Sequence, residues 1–263
     1  MNRSSGTINV IVPIYEMAGE LGRLETWIQE IKSNNFRIYL VDDFTEESSS
    51  DEIVSMISRC GHLEIKLLSN RYESPGAARN AGLKEITEGW IAFWDADDSP
   101  APEKFAEAIC EVDPDVGIVI GRYESQTYDS DIHYPTPLNS RPPNWLNVIA
   151  NPGIWRCIFR REVIGETKFP TYRLGEDQIF LASVLSKNPK VQFSKHCFYI
   201  YTTGRVNSLT NSRRYNRAKE LGLAKKNMRE LISKNSKFRI VVLFLYLKLT
   251  ITLAKEKIQN YES

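Results

Sequence analysis

Asp95, Asp97 and Asp98 place three carboxylates within four residues, directly after the apolar run Trp90-Ile91-Ala92-Phe93-Trp94. Carboxylates this close repel one another unless positive charge sits among them, and a hard divalent cation with oxygen ligands is the usual solution. Mg²⁺ or Mn²⁺ takes only one or two protein carboxylates and fills its other positions with water and phosphate oxygens, so the cluster suits a phosphate-bearing ligand. Two further acidic pairs stand at similar places: Asp42-Asp43 closes the run Phe36 to Val41, and Glu176-Asp177 follows Gly175 and precedes Ile179-Phe180-Leu181-Ala182. Either pair also reads as local structure, Asp42-Asp43 as a strand-to-helix turn and Glu176-Asp177 as negative charge in a helix first turn. Arg79 lies in the small-residue segment Gly76-Ala77-Ala78-Arg79-Asn80-Ala81-Gly82, where its planar fork of donors could meet a phosphate or a carboxylate.

The elements that must position these groups alternate. Ile8 to Val12 reads as a buried strand ended by Pro13, and a helix follows through Leu21, Leu24, Trp27, Ile28 and Ile31. Strands at Phe36 to Val41, Ile65 to Leu68 and Trp90 to Trp94 are separated by a helix capped within Ser48 to Ser50 and by the small-residue helix after Ser74. Strands alternating with helices predict parallel pairing, and in such sheets ligands collect beyond the carboxyl ends of the strands, where the acidic clusters lie. Further on, a helix after Pro102, a strand at Val116 to Ile120, a Pro-rich loop from Tyr123 to Asn151, a strand at Trp155 to Arg160 and helices from Tyr215 onward are predicted.

Composition narrows the class. The chain of 263 residues has a formal net charge of +1. That near-neutrality conceals an asymmetry: residues 205–263 hold 14 Lys and Arg against 4 Glu and no Asp, about +10, leaving about −9 on the rest. Cys60, Cys110, Cys157 and Cys197 are scattered without the close pairs of zinc or dithiol motifs, so reduced thiols are expected. His62, His133 and His196 have no spacing for joint metal binding. Met1 to Thr7 is polar and leads straight into a strand, unlike a secretory leader, so the expected location is the cytoplasm. Pro13-Ile14-Tyr15-Glu16 follows the first strand where a dinucleotide fingerprint or a Walker loop needs glycines, which excludes a dehydrogenase and a P-loop NTPase.

Val12-Pro13-Ile14-Tyr15, Val41-Asp42-Asp43, Gly76 to Gly82, Phe93-Trp94-Asp95-Ala96-Asp97-Asp98 and Gly175-Glu176-Asp177 occur in the order and approximate spacing of glycosyltransferase family 2, which the chain resembles over about Ile8 to Thr210. The resemblance implies a GT-A, Rossmann-like α/β fold with a mixed, mainly parallel sheet flanked by helices. It implies a catalytic domain over 1–210 and a basic, apolar helical extension over 211–263. It further implies inverting transfer of one sugar from a nucleotide-sugar, a UDP-sugar in the first instance, to a hydroxyl of a growing surface glycan. Residue by residue, Pro13, Tyr15, Glu16, Asp42 and Asp43 would hold the nucleoside. Arg79 and Asn80 would face the nucleotide, Asp95, Ala96 and Asp97 would form the D-x-D element with Asp97 and Asp95 as ligands of Mn²⁺ or Mg²⁺, and Arg205 would reach the diphosphate. Asp177 would be the general base and Glu176 would orient the acceptor. Glu16 stands where many relatives carry Asn, and Phe44-Thr45 replaces a common Gly-Ser.

Two rival functions share these residues: a catalytically silent nucleotide-sugar-binding scaffold subunit of a glycan-assembly complex, and a sugar nucleotidyltransferase, which the missing Gly-rich loop disfavours. Arg239 to Ala254, interrupted by Lys248, is short of the roughly 20 apolar residues needed to cross a bilayer. It reads as a helix lying on an anionic membrane near a lipid-linked glycan acceptor, as one packed on the catalytic domain, or as a homodimer contact. Nucleic acid is not an expected partner.

Overall fold

The computed structural model describes residues 6–15, 17, 21–43, 47–127, 133–134, 143–204 and 216–262. The first half alternates as expected: β1 (Ile8–Ile14), α1 (Gly22–Gln29), β2 (Phe36–Asp43), α2 (Glu47–Arg59), β3 (Glu64–Asn70), α3 (Pro75–Lys84) and β4 (Trp90–Phe93). There follow β5 (Ser99–Pro100), α4 (Pro102–Glu111), β6 (Val116–Thr127), β7 (His133–Tyr134), α5 (Trp145–Ala150), β8 (Cys157–Arg160), α6 (Arg161–Ile164), α7 (Glu176–Leu185), β9 (Lys190–Thr203), α8 (Arg217–Lys234) and α9 (Arg239–Glu262). One sheet runs in the order β3-β2-β1-β4-β8-β6-β9-β5, with β7 beside β6. Its β3-β2-β1-β4 half is parallel; β8 is antiparallel to both neighbours, and β6 and β9 pair in parallel.

Several sequence expectations need correction. Pro13 does not end β1, which continues to Ile14 beside β2. Ile11 O accepts from Trp94 N, so Ile11 and, two residues on, Pro13 turn their main-chain groups toward β4. Pairing with β4 stops at Ile11, so the missing N–H of Pro13 costs no ladder bond. Ser48 to Ser50 lie inside α2, which starts at Glu47. The predicted loop from Tyr123 holds the end of β6, β7 and α5, while Pro135, Pro137 and Pro142 lie outside the described residues. Trp155 sits in a 3-10 turn (Ile154–Arg156) ahead of β8. The long strand β9 has no counterpart among the elements expected from the sequence.

The sheet is buried on both faces. Val10, Val12, Trp27, Trp94 and Phe105 lie in the core under α1, α2 and α4, while Ile11, Val41, Ile91, Phe93 and Phe180 lie in the core under α3, α7, α8 and α9. This alternation along β1 and β4 is the period-two pattern of a strand, carried on two apolar faces, and explains why these strands read as continuous hydrophobic runs. The helical extension packs on α7: Leu221, Ala224 and Met228 of α8 and Val242, Leu245 and Leu249 of α9 are buried in the same core as Phe180 and Leu181. No described helix is long and apolar enough to cross a membrane.

Candidate active site

The carboxyl ends of β1, β2 and β4 lie side by side, and each ends in residues singled out by the sequence. Tyr15, half exposed, follows β1; Asp42 and Asp43, both buried, close β2; and the acidic loop follows β4. Trp94 anchors that loop: it is fully buried, edge-on to Trp27 at 5.2 Å and beside Phe105 at 4.9 Å. The chain then turns, with Asp98 N donating to Asp95 O at 3.3 Å.

At the centre is Arg79. Ser74 caps α3 by accepting from Ala77 N, Pro75 opens the helix, and Arg79 follows one turn later, 5% exposed. Its Nη2 donates to Asp95 Oδ1 at 2.9 Å, and its Nη1 donates to Glu176 Oε1 at 3.1 Å and Asp177 Oδ1 at 3.0 Å. Burial opposes its charge, but Asp177, Asp95 and Glu176 outweigh that and hold its pKa above the ordinary range. One cation thus ties the loop after β4 to the first turn of α7. Beneath it lies an aromatic cluster, with the guanidinium 5.5 Å from the Phe169 ring and Phe169 stacked on Phe180 at 3.9 Å. Asn80 locks Phe169 in place: its Nδ2 donates to Phe169 O and its Oδ1 accepts from Phe169 N, both at 2.8 Å. Gly76 lets α3 approach the same segment, since a Cβ there would lie 2.1 Å from Pro170 O.

Gly175 immediately precedes α7, and its φ of 81° lies in the left-handed region open to glycine. Glu176 is buried, and burial followed by the charge of Asp177 pushes its pKa up to about 8 despite Arg79. Asp177 is better exposed than Glu176, with a side chain 23% accessible against 10%. In the acidic loop, burial is the largest cause raising Asp95 to about 6, with Asp97 and Asp177 adding to it against Arg79. Burial and its acidic neighbours raise Asp98 well above the carboxylate range. Asp98 Oδ1 accepts from Thr202 N at 2.6 Å, so this third acid is tied to β9.

Sequence reasoning missed what β9 contributes. Tyr199, fully buried, accepts at its hydroxyl from Asp95 N at 2.9 Å. Tyr201 stacks on Trp155 with rings 5.3 Å apart and 4° from parallel. Burial first, then the charges of Asp98, Asp95, Asp97 and Asp177, raise the Tyr201 hydroxyl to about 12. Arg23 of α1 donates to Thr202 Oγ1 at 2.7 Å and Asp97 O at 3.4 Å. The run Phe198-Tyr199-Ile200-Tyr201-Thr202-Thr203, aromatic and β-branched, was the available signal. Trp155 is buried and stacks on both Tyr199 and Tyr201, and Trp145 packs on Phe193 and Phe238.

The remaining candidates divide. Asp43 Oδ1 accepts from Tyr72 N at 2.5 Å and Glu73 N at 2.9 Å, pinning the loop between β3 and α3. Pro13 and Ala96 lie with the β1 and β4 ends. Glu16, Phe44, Thr45 and Arg205 lie outside the described residues. Among the described residues, no three His, Cys, Asp or Glu side chains close into a metal cage. The donor set nonetheless fits a hard divalent cation: it is all carboxylate oxygen, and among the described residues one guanidinium, Arg79, meets three acids while Asp97 and Asp98 crowd Asp95.

Comparison with known proteins gives the arrangement a lineage. An uncharacterized glycosyltransferase of Rickettsia conorii is 26% identical over 230 residues, spanning 79% of this chain and 35% of that protein. The succinoglycan biosynthesis protein ExoO of Rhizobium meliloti is 24% identical over 212 residues, spanning 74% of this chain and 60% of its own length. The chain thus spans about a third to three fifths of these relatives. Among solved structures, TarS 1–349 of S. aureus in complex with UDP-GlcNAc aligns with a TM-score of 0.69 at 20% identity, over 87% of this chain and 66% of that one. The mannosyltransferase PcManGT of Pyrobaculum calidifontis, in complex with GDP-Man and Mn²⁺, aligns at 0.62 and 17%, over 97% and 75%. The fold is therefore the GT-A fold of these glycosyltransferases. The profile of Glycosyl transferase family 2 matches residues 9–173, which carry the β1, β2 and β4 ends and Arg79, and on that match the chain belongs to this family.

Proposed function

We propose that the protein transfers one sugar from a nucleotide-sugar, a UDP-sugar in the first instance, to a hydroxyl of a growing surface glycan, with inversion at the anomeric carbon. The observation that carries this reading is the single guanidinium of Arg79, which joins Asp95 of the D-x-D loop to Asp177 at the start of α7. A donor diphosphate near Asp95 and an acceptor hydroxyl near Asp177 would then be held in one frame, which is the positioning a displacement reaction needs. Support for the donor comes from the neighbours, since TarS was solved with UDP-GlcNAc and PcManGT with GDP-Man. ExoO, named for succinoglycan biosynthesis, supports a glycan acceptor.

In the proposed step the acceptor hydroxyl gives its proton to Asp177 as its oxygen bonds to the anomeric carbon. The opposite carbon–oxygen bond breaks, and its electron pair leaves with the nucleoside diphosphate. Arg79 fixes the Asp177 carboxylate through Oδ1, and burial raises Glu176 to about 8, which limits the negative charge around that base. Asp97, with the second oxygen of Asp95, would hold Mn²⁺ or Mg²⁺. Bound there, the ion would supply Lewis-acid neutralisation of the departing diphosphate. Tyr15, Pro13 and Asp43 would meet the nucleoside at the β1 and β2 ends. The cytoplasm, where the four free cysteines stay reduced, is the proposed compartment, at the inner face of the cell membrane.

Calorimetric titration with UDP, CDP and GDP, with and without Mn²⁺, tests the donor site, and transfer assays of Asp177→Asn test the base. UDP should bind at least about tenfold more tightly with Mn²⁺, and Asp97→Ala should abolish that difference. Asp177→Asn should keep UDP affinity while losing about 10²- to 10⁴-fold in transfer. Failure of all three nucleotides to bind would overturn the donor site; nucleotide-sugar binding without turnover by the wild type would favour a scaffold subunit.

A further inference from the structure

α9 presents two apolar faces. Phe238, just before it, and Val242, Leu245 and Leu249 recur at helical spacing and are buried against the domain. On the opposite side Ile240, Leu243, Phe244, Leu247, Ile251 and Ile258 are exposed, Ile240 to 71% and Phe244 to 46%. At 1.5 Å per residue this outward stripe is about 27 Å long. Lys248 does not interrupt it, because its amine turns inward to donate to Ala150 O at 2.5 Å and Ile149 O at 3.4 Å. Exposed Lys237 and Arg239 flank one end and exposed Lys255 and Lys257 the other. The one acid between Arg239 and Ile258 is Glu256, which is turned inward and accepts from Arg217 Nε at 2.9 Å.

We propose that this outward face of α9 docks on an anionic bilayer surface. Aliphatic and aromatic side chains between two cationic ends, with no acid among them, match the interface of an anionic leaflet, which offers acyl chains beneath negative headgroups. A second copy of the chain fits worse. Two α9 helices face to face bring the Lys and Arg of one onto those of the other whether they run parallel or antiparallel, and between Arg239 and Ile258 the described outward face holds no carboxylate to meet them. The attachment deepens the placement of the enzyme at a membrane and is independent of its donor chemistry, so UDP titration and vesicle binding fail separately.

The test is co-sedimentation of the full chain with phosphatidylcholine vesicles, with and without phosphatidylglycerol, at low and high salt. The wild type should bind the phosphatidylglycerol vesicles at least about tenfold more tightly than the neutral ones, and added salt should weaken that binding. Phe244→Ser with Leu247→Ser should reduce it at least about tenfold while the urea midpoint and UDP affinity stay unchanged. Lys255→Glu with Lys257→Glu should abolish the preference for the anionic vesicles. The proposal is overturned if the wild type binds neither vesicle, or if the apolar variant binds as well as the wild type. It is equally overturned if sedimentation equilibrium shows a dimer that the apolar variant converts to monomer while no vesicle is bound.

Discussion

Arg79 donates to three carboxylates while carrying one positive charge, so among the described residues these acids share a single guanidinium. Burial first and then the Asp177 charge raise Glu176 to about 8, against an ordinary value of about 4.5. Its folded pKa lies above its unfolded one, so between these values the folded state binds a proton that the unfolded state has released. The corresponding stabilisation is therefore whole below about pH 4.5 and is lost as pH rises through about 8. Urea unfolding of wild type and Glu176→Gln from about pH 5 to about pH 9 should show the wild type losing on the order of a few kcal/mol relative to the variant. Parallel curves would mean that Glu176 is ionised throughout. Asn80 shows a different outcome at this scale: its amide is occupied by Phe169, which places it as a support for Arg79 from below.

At the scale of elements, the position of Arg79 depends on how closely α3 approaches its neighbours. A Cβ on Gly76 would lie 2.1 Å from Pro170 O, and one on Gly82 would lie 2.7 Å from Ile11 Cγ2, so both ends of the helix need glycine for close approach. Gly76→Ala has nowhere to put its methyl group except against backbone, and should cost about 1–3 kcal/mol as a lower urea midpoint. It should also weaken UDP binding, because displacing α3 from residues 169–170 disturbs the Asn80–Phe169 clamp and with it Arg79. An unchanged midpoint would show that the Pro170 segment yields easily. β9 is the other decisive element, contributing Tyr199 to Asp95, Tyr201 to Trp155 and Thr202 to Asp98.

At the scale of the whole molecule, α8 and α9 complete the core on the α7 side of the sheet. Leu245 is fully buried and Leu247, two residues on, is 44% exposed, although both are leucines in one apolar run. Leu245→Ala should cost about 2–5 kcal/mol in urea unfolding, because it leaves a cavity in the core where Leu245 is buried. Leu247→Ala should cost less than about 0.5 kcal/mol, because its face is open to solvent. Similar costs for both would mean that α9 packs in another rotation, and the membrane face would go with it. Removal of α9 altogether would open the core in which Val242, Leu245 and Leu249 are buried, so point substitutions separate attachment from folding better than truncation does.

What the sequence by itself determined was local. The apolar runs of β1, β2 and β4, the cap at Ser74, the acidic turns after strands and the start of α7 at Gly175 each follow from spacing within about a dozen residues. The order of these motifs was enough to suggest the family. What only the tertiary structure decided was which distant groups meet. Arg79 joins Asp177 across 98 residues, and Tyr199 meets Asp95 across 104, and no periodicity encodes such a pairing. The antiparallel place of β8 and the reach of β9 depend on which strand edges remain free once β3-β2-β1-β4 has formed. α9 is the clearest case: its apolar run points both ways in sequence, and burial of Val242, Leu245 and Leu249 against the domain settles which residues face outward.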